Sequence, residues 1–375
     1  MAMLIPLIRK PSVLSGNQRT EQSLETEIMI NDISIAGRLI GPSQKPFIIA
    51  EMSGNHNQSL ERALAIVDAA ADAGADAIKL QTYTADTMTL PGALTIEDEG
   101  SLWKGRELYD LYKEAYTPWE WHQPIFVRAR ERGIIAFSSS FDERAVDFLE
   151  SLDAPAYKIA SFENTDHPLL RKVAATGKPV IMSTGAATVQ EVAEAVQVLR
   201  EAGCQELILL KCTSTYPATP ENTNLRTIPH LSALYTVQVG LSDHTMGIGA
   251  SVAAVVLGAT VIEKHFTLSR ADGGVDSAFS LEPAELQSLV VESESAWLAL
   301  GQVQYGVQRA EEKSRLFKRS VYASQDTKAG EAFTKENIRV IRPGLGLPPK
   351  HYDDLLTKNA SQDIKAGTPL SWDMV

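Results

Sequence analysis

Between residues 47 and 267, eight short apolar stretches recur: FIIAEM (47–52), AIKLQT (77–82), IIAFSS (134–139), AYKIAS (156–161), PVIMST (179–184), LILLKC (207–212), TVQVGLSDH (236–244) and VIEKHFT (261–267). Between them run segments with apolar residues at helical spacing, such as SLERALAIVDAAADAGAD and TVQEVAEAVQVLREAGC, each with a glycine near its end, the usual helix stop. Eight strand–helix units over about 250 residues predict an α/β fold of the (β/α)8 TIM-barrel type. An open doubly wound sheet is the alternative, and the even spacing of the units favours closure. The long insert between the second and third strands, residues 84–117, is aromatic and charged and is expected to help cover the site.

If the strands close into a barrel, their carboxyl ends form the catalytic face. Each apolar run finishes in polar residues: Glu51, Lys79 and Gln81, Ser138 to Ser140, Lys158 and Ser161, Ser183 and Thr184, Lys211, His244, and Glu263 with His265. Packing alone does not require this of eight strands together. Lysine is seldom buried without a partner, so Lys79, Lys158, Lys211 and Lys264 stand out within or beside apolar strands. For any one of them the alternative is a snorkelling side chain or a buried ion pair. Strand alternation sorts them in part. Glu263 and His265 share a face, so Lys264 points the other way, whereas Lys79 and Gln81 point together.

Lysines and hydroxyls at strand ends suit a phosphate- and carboxylate-bearing substrate. Two imidazoles with few carboxylates suit a divalent metal that keeps open positions. Metal and polyanion together point to a carbonyl electrophile attacked by a phosphorylated carbon nucleophile. The formal net charge of −12 argues against nucleic-acid or anionic-membrane binding, so an anionic substrate must be drawn in by locally placed cations.

No apolar run approaches the roughly 20 residues needed to cross a bilayer. Only Cys204 and Cys212 occur, so a disulfide framework is not expected and a cytoplasmic location is. Residues 1–28 lack the order of a signal peptide and read as a flexible extension. Residues 29–300 are expected to form the catalytic barrel and the charged stretch 301–319 a linker. Residues 320–375 contain an internal repeat, SQDTKAGEAFTKENI (324–338) and SQDIKAGTPLSWDMV (361–375), offset by 37. Two copies are too few for a solenoid and predict a small pseudo-symmetric, β-rich domain. His56 is ambiguous between loop entry and catalysis, and His122, His167, His230 and His351 read as structural. Cys212 has no base near it in sequence and is not expected to act as a nucleophile.

The stretches PFIIAEMSGNHNQSLERA, KLQTYTADTMT, YKIASFENTD, STGAAT, GLSDHTMG, EKHFT and IRPG resemble the sialic acid synthase family, in order, from about residue 33 to the C-terminus. AEMSGNHNQSLERAL and KLQTYTADTMT look most like the branch whose product is pseudaminate, with the N-acetylneuraminate and legionaminate branches as alternatives. The resemblance implies a TIM barrel followed by an antifreeze-like (SAF) domain. It also implies condensation of phosphoenolpyruvate with an N-acetylated amino sugar, with loss of phosphate by C–O cleavage, using manganese or magnesium. His244 and His265 would ligate the metal, with Glu263 contacting it through water. Lys79, Ser139, Lys158, Ser161, Ser183 and Ser242 would hold phosphoenolpyruvate; Ser214 stands where some relatives have asparagine. Glu51, Gln81, Glu163, Tyr216 and Asp276 would face the sugar. Related enzymes are domain-swapped homodimers in which an arginine, here Arg342, reaches the partner's sugar site.

Overall fold

The computed structural model describes residues 30–375, so the expected extension at 1–28 lies outside the described residues. The strands are β1 (Ile33–Ile35), β2 (Arg38–Ile40), β3 (Phe47–Glu51), β4 (Ala77–Thr82), β5 (Ile135–Ser140), β6 (Tyr157–Ile159), β7 (Val180–Ser183), β8 (Leu207–Cys212), β9 (Gln238–Asp243), β10 (Val261–His265), β11 (Ser320–Ala323) and β12 (Ile338–Ile341). Strands β3 to β10 close into a parallel barrel in chain order, with β10 pairing β3. The chain forms two compact units, one ending at Gly301 and the other spanning Gln302–Val375.

Each barrel strand is dry on both faces, as parallel strands under helices must be. The outward residues Ile48, Ile78, Ile159, Met182, Leu209 and Leu241 pack with the helices in one core cluster, while the inward residues Phe47, Ile49, Phe137, Ile181, Ile208 and Val261 form another. Local sequence explains the helices. Ser59 caps Leu60–Asp72 by accepting from Arg62 N, and Ala63, Ile66, Val67 and Ala70 bury one stripe. Thr188 and Glu191 form a capping box at Val189–Glu201. Gly74 and Gly203, just past these two helices, take left-handed φ of 87° and 101°.

The β1–β2 hairpin is not foreseen in the strand reading, which starts the barrel at residue 47. Ala36 and Gly37 make its turn with φ of 48° and 85°. Ile33, Ile35 and Ile40 pack with the inward barrel residues and so close its amino-terminal end. Arg38 secures the hairpin through Asp76 at 2.9 Å.

In the second unit, β11 and β12 pair antiparallel, and isolated bridges join Thr327 to Ile364 and Ala332 to Asn359. The two repeat copies exchange equivalent contacts. Lys328 pairs with Asp363 at 2.8 Å and Lys365 with Asp326 at 2.7 Å. Each aspartate also accepts a backbone N–H from the other copy, Ala329 and Ala366. Val321, Phe333, Ile338, Leu355, Ile364 and Leu370 form its core. Residues 302–308 carry no helix or strand, and Arg309–Phe317 is a 3-10 helix. Among the described residues, no helix is long and apolar enough to cross a membrane.

Candidate active site

Strand register builds the site. His265 pairs with Glu51, Glu51 with Lys79, Gln81 with Ser139, Ser139 with Lys158, Cys212 with Ser242, and Ser242 with Glu263. These residues continue the inward series of their strands, so their side chains converge where the apolar interior ends. Lys79 Nζ contacts Glu51 Oε2, lies 3.7 Å from Glu263 Oε2 and donates to Ser139 Oγ at 3.1 Å. Lys158 Nζ donates to Ser183 Oγ at 2.8 Å and lies 3.5 Å from Glu263 Oε1, which accepts from Ser242 Oγ at 2.9 Å. Gln81 Nε2 donates to Glu51 Oε1 at 3.2 Å.

The charges in this cluster are set by burial and by each other. Burial raises the Glu51 carboxyl to about 7, against the pull of Lys79. Glu263 is also pushed up by burial, but Lys158 and Lys79 outweigh that and hold it below the usual carboxylate range. Burial lowers Lys158, whereas Glu263 and Glu51 overcome the same burial at Lys79 and raise it. Two ammonium groups thus share one firmly ionised carboxylate and one that titrates near neutrality. A net positive cluster in a low-dielectric interior favours an anionic ligand.

His244 and His265 stand side by side with ring centroids 5.3 Å apart. His244 Nδ1 donates to the Thr213 carbonyl at 2.9 Å, so Nε2, on losing its proton, is the nitrogen that a metal would take. Burial lowers the His244 pKa, but Cys212, the Thr213 carbonyl and Glu263 outweigh it and raise it above the ordinary value. His265 is held well below its ordinary pKa by burial and by the neighbouring His244, so it stays neutral, and its buried Nδ1 has no hydrogen-bond partner among the described residues. Glu263 Oε2 is likewise buried without one. These unpartnered atoms fit a divalent cation. Among the described residues, no set of three or more His, Cys, Asp or Glu side chains is arranged to hold a metal. The protein therefore offers two imidazoles, leaving the remaining positions to water or substrate.

The rest of the predicted set arrives from loops. Gly185 brings Ser161, Ser214 and Cys212 around one point: a Cβ there would lie 2.2 Å from Ser214 Oγ and 2.6 Å from Ser161 Oγ. Gly185 N donates to Ser161 Oγ at 3.2 Å. Tyr216 packs on His244 with centroids 4.4 Å apart and on Phe279 at 5.3 Å. Asp276 accepts from Ser53 Oγ and lies 4.0 Å from His265 Nδ1. Burial raises Glu163 to about 7, and its Oε2 has no hydrogen-bond partner among the described residues. Trp103, from the 84–117 insert, packs on Tyr216 at 5.9 Å and donates to Val275 O at 3.0 Å. Arg342 lies in the second unit, exposed just after β12.

Sequence reasoning missed several neighbours. Cys212 has a histidine beside it that the sequence does not reveal: its Sγ is 4.0 Å from His244 Nδ1, because β8 and β9 are adjacent although the two residues are 32 apart in sequence. That nitrogen donates to Thr213 O and is no base for the thiol. Ser53, with a left-handed φ of 47°, bridges Gln81 and Asp276. Lys264 points outward and is buried against Asp243 at 3.1 Å and the carbonyls of Thr245 and Gly247. It anchors the loop that follows His244. His56 and His122 are interior supports. Their rings meet Thr117 Oγ1 at 3.2 Å and Thr82 Oγ1 at 2.8 Å, and burial lowers both to about 4.

Comparison with known proteins places this geometry in a family. Residues 66–305 match the NeuB family and residues 318–375 the SAF domain. Two curated synthases of Campylobacter jejuni provide an internal contrast. A pseudaminic acid synthase is 48% identical, covering 87% of this chain and 96% of its own. An N,N'-diacetyllegionaminic acid synthase is 36% identical, covering 86% and 98%. Among solved structures, the N-acetylneuraminic acid synthetase of Leptospira borgpetersenii, in complex with citrate, superposes with a TM-score of 0.69 at 33% identity over 76% of this chain and 95% of that one. A barrel with these charged strand ends and this degree of similarity belongs to the NeuB family, the sialic acid synthases, phosphoenolpyruvate-dependent transferases that form a carbon–carbon bond.

Proposed function

We propose that the chain acts as a pseudaminic acid synthase, condensing phosphoenolpyruvate, 2,4-diacetamido-2,4,6-trideoxy-L-altrose and water to give pseudaminate and phosphate. The observation that carries the sugar assignment is the contrast in identity to the two Campylobacter jejuni synthases, 48% against 36%. The chemistry rests on the lysine–serine pairs opposite the two imidazoles.

Lys79 with Ser139 and Lys158 with Ser183 hold the carboxylate and phosphate of phosphoenolpyruvate, while Ser161, Ser214 and Ser242 complete the donors. Each charge-assisted contact is worth about 1.5–3 kcal/mol. A manganese or magnesium ion held by His244 and His265 would polarise the sugar's aldehyde toward attack by the enol carbon. Glu51, titrating near 7, is the inward group able to exchange a proton with the sugar or the added water at neutral pH. Gln81, Glu163, Tyr216 and Asp276 orient the sugar, and Trp103 and Phe279 limit water around it. Holding both reactants in one pocket contributes an orientation effect of up to about 7–11 kcal/mol.

The reading extends to a homodimer in which Arg342 of one copy completes the sugar site of the other; a planar fork of donors suits an N-acetyl carbonyl. Mixing inactive His265→Ala with inactive Arg342→Ala chains should then restore part of the activity. No rescue, with subunit exchange confirmed, removes the dimer proposal. The sugar assignment is tested by phosphate release from phosphoenolpyruvate with the altrose, the legionaminate precursor and N-acetylmannosamine in turn, with and without a chelator. Faster turnover of either of the other two sugars would overturn it.

A further inference from the structure

Of the four lysines on barrel strands, three meet a carboxylate: Lys79 at Glu51, Lys158 at Glu263 and Lys264 at Asp243. Lys211 does not. Among the described residues, no Asp or Glu oxygen lies within 4.0 Å of its Nζ. It sits on β8 between the inward Leu210 and Cys212, so it points outward, and it is half-buried. Its ammonium donates to Cys212 O at 2.9 Å and Thr213 Oγ1 at 2.6 Å, leaving one of three donors free.

That ammonium lines a cavity of about 760 Å³ outside the barrel wall, bordered by residues of the helices Val189–Glu201 and Thr227–Tyr235. Thr184, Thr215, Asn224, Thr227 and His230 share the lining, with apolar surface from Val192 and Leu231, and Cys212 and Ser214 border it on the side of the catalytic cluster. Among the described residues, no Asp or Glu lines it, in a chain of net charge −12. A partly desolvated cation, the Thr215 and Thr227 hydroxyls, the second Nδ2 hydrogen of Asn224 and no lining acid form an environment complementary to one oxyanion. We propose that this cavity binds a single phosphate or carboxylate group at Lys211, a second anion position beside the Lys79–Lys158 cluster, with Cys212 and Ser214 bordering both.

The site has a route to the catalytic end. Thr213, whose hydroxyl accepts from Lys211, also presents the carbonyl that holds His244 Nδ1. An anion that pulls on the ammonium therefore acts on the segment orienting that imidazole. The inference does not depend on which sugar the enzyme takes.

The test is titration of the full-length protein with inorganic phosphate by calorimetry, repeated with pyruvate to separate phosphate from carboxylate recognition. Wild type should bind two phosphates per chain. Lys158→Ala should remove the inner one and Lys211→Met the outer one, with at least about a tenfold loss of affinity, whereas Lys211→Arg should retain it within about threefold. Asn224→Asp, at an exposed lining position, leaves the Lys211 bonds untouched and should abolish the outer site by placing a carboxylate in the cavity. Outer phosphate binding that survives both Lys211→Met and Asn224→Asp overturns the inference, as does a single phosphate per chain that Lys158→Ala removes. Loss of neither phosphate in Lys158→Ala would instead count against the inner-site assignment alone.

Discussion

The two ends of the barrel interior are built from the same strands and differ in every chemical respect. At the amino-terminal end Ile33, Ile35 and Ile40 of the hairpin meet Phe47, Ile49, Phe137 and Val261 in a dry cluster. Further along the same strands, the inward residues become Glu51, Lys79, Ser139, Glu263 and His265. One end supplies packing energy, and the other spends part of it by holding charges away from water. Stability and activity should therefore respond to substitutions at opposite ends.

The largest effect is expected at the charged end. His265→Ala should lower turnover by about a thousandfold or more, since metal polarisation is worth several kcal/mol and each 1.36 kcal/mol is a factor of ten. Its thermal midpoint should stay close to wild type. Near-normal phosphate release from this variant, or from enzyme treated with EDTA, would dissolve the functional contrast between the ends. At the dry end, Ile35→Ala should cost about 2–5 kcal/mol in denaturant unfolding while both Michaelis constants hold within about twofold. A selective loss of activity there would show that the hairpin serves chemistry as well as packing.

Buried histidines outside the barrel interior sharpen the same division. His56 and His122 titrate near 4 when folded and near 6.5 when unfolded. Above pH 6.5 neither state is protonated and their contribution is complete. As pH falls from 6.5 to about 4 the unfolded chain gains protons first, so stability drops, by up to about 3 kcal/mol per group. Denaturant curves at pH 7 and 4.5 should show this loss, and His122→Gln should reduce it. An unchanged difference in that variant would move the acid sensitivity to the interior cluster. The smallest effect concerns a single contact. Lys158→Ala should raise the Michaelis constant for phosphoenolpyruvate by the equivalent of about 1.5–3 kcal/mol and leave that for the sugar nearly unaltered. The reverse pattern would mean the two subsites are exchanged.

Much of this was readable in the chain. Eight apolar runs, evenly spaced but for the 84–117 insert, point to a closed parallel barrel, because runs dry on both faces demand helices on one side and a filled interior on the other. Alternation along VIEKH already separates Glu263 and His265 from Lys264, since the period of a strand is two whatever its partners. The 37-residue offset likewise anticipates the reciprocal Lys328–Asp363 and Lys365–Asp326 contacts. Tertiary structure alone decided the rest. Cys212 and His244 become neighbours only through the β8–β9 register, and Ser161 meets Ser214 only because Gly185 has no side chain to keep them apart. The hairpin carries no long apolar run, so its role as the barrel's floor appears only when Ile33, Ile35 and Ile40 are seen packed inside. Lys79 and Lys211 look alike along their strands. Whether an ammonium finds a carboxylate depends on which strands lie beside it, and that is a property of closure, not of local sequence.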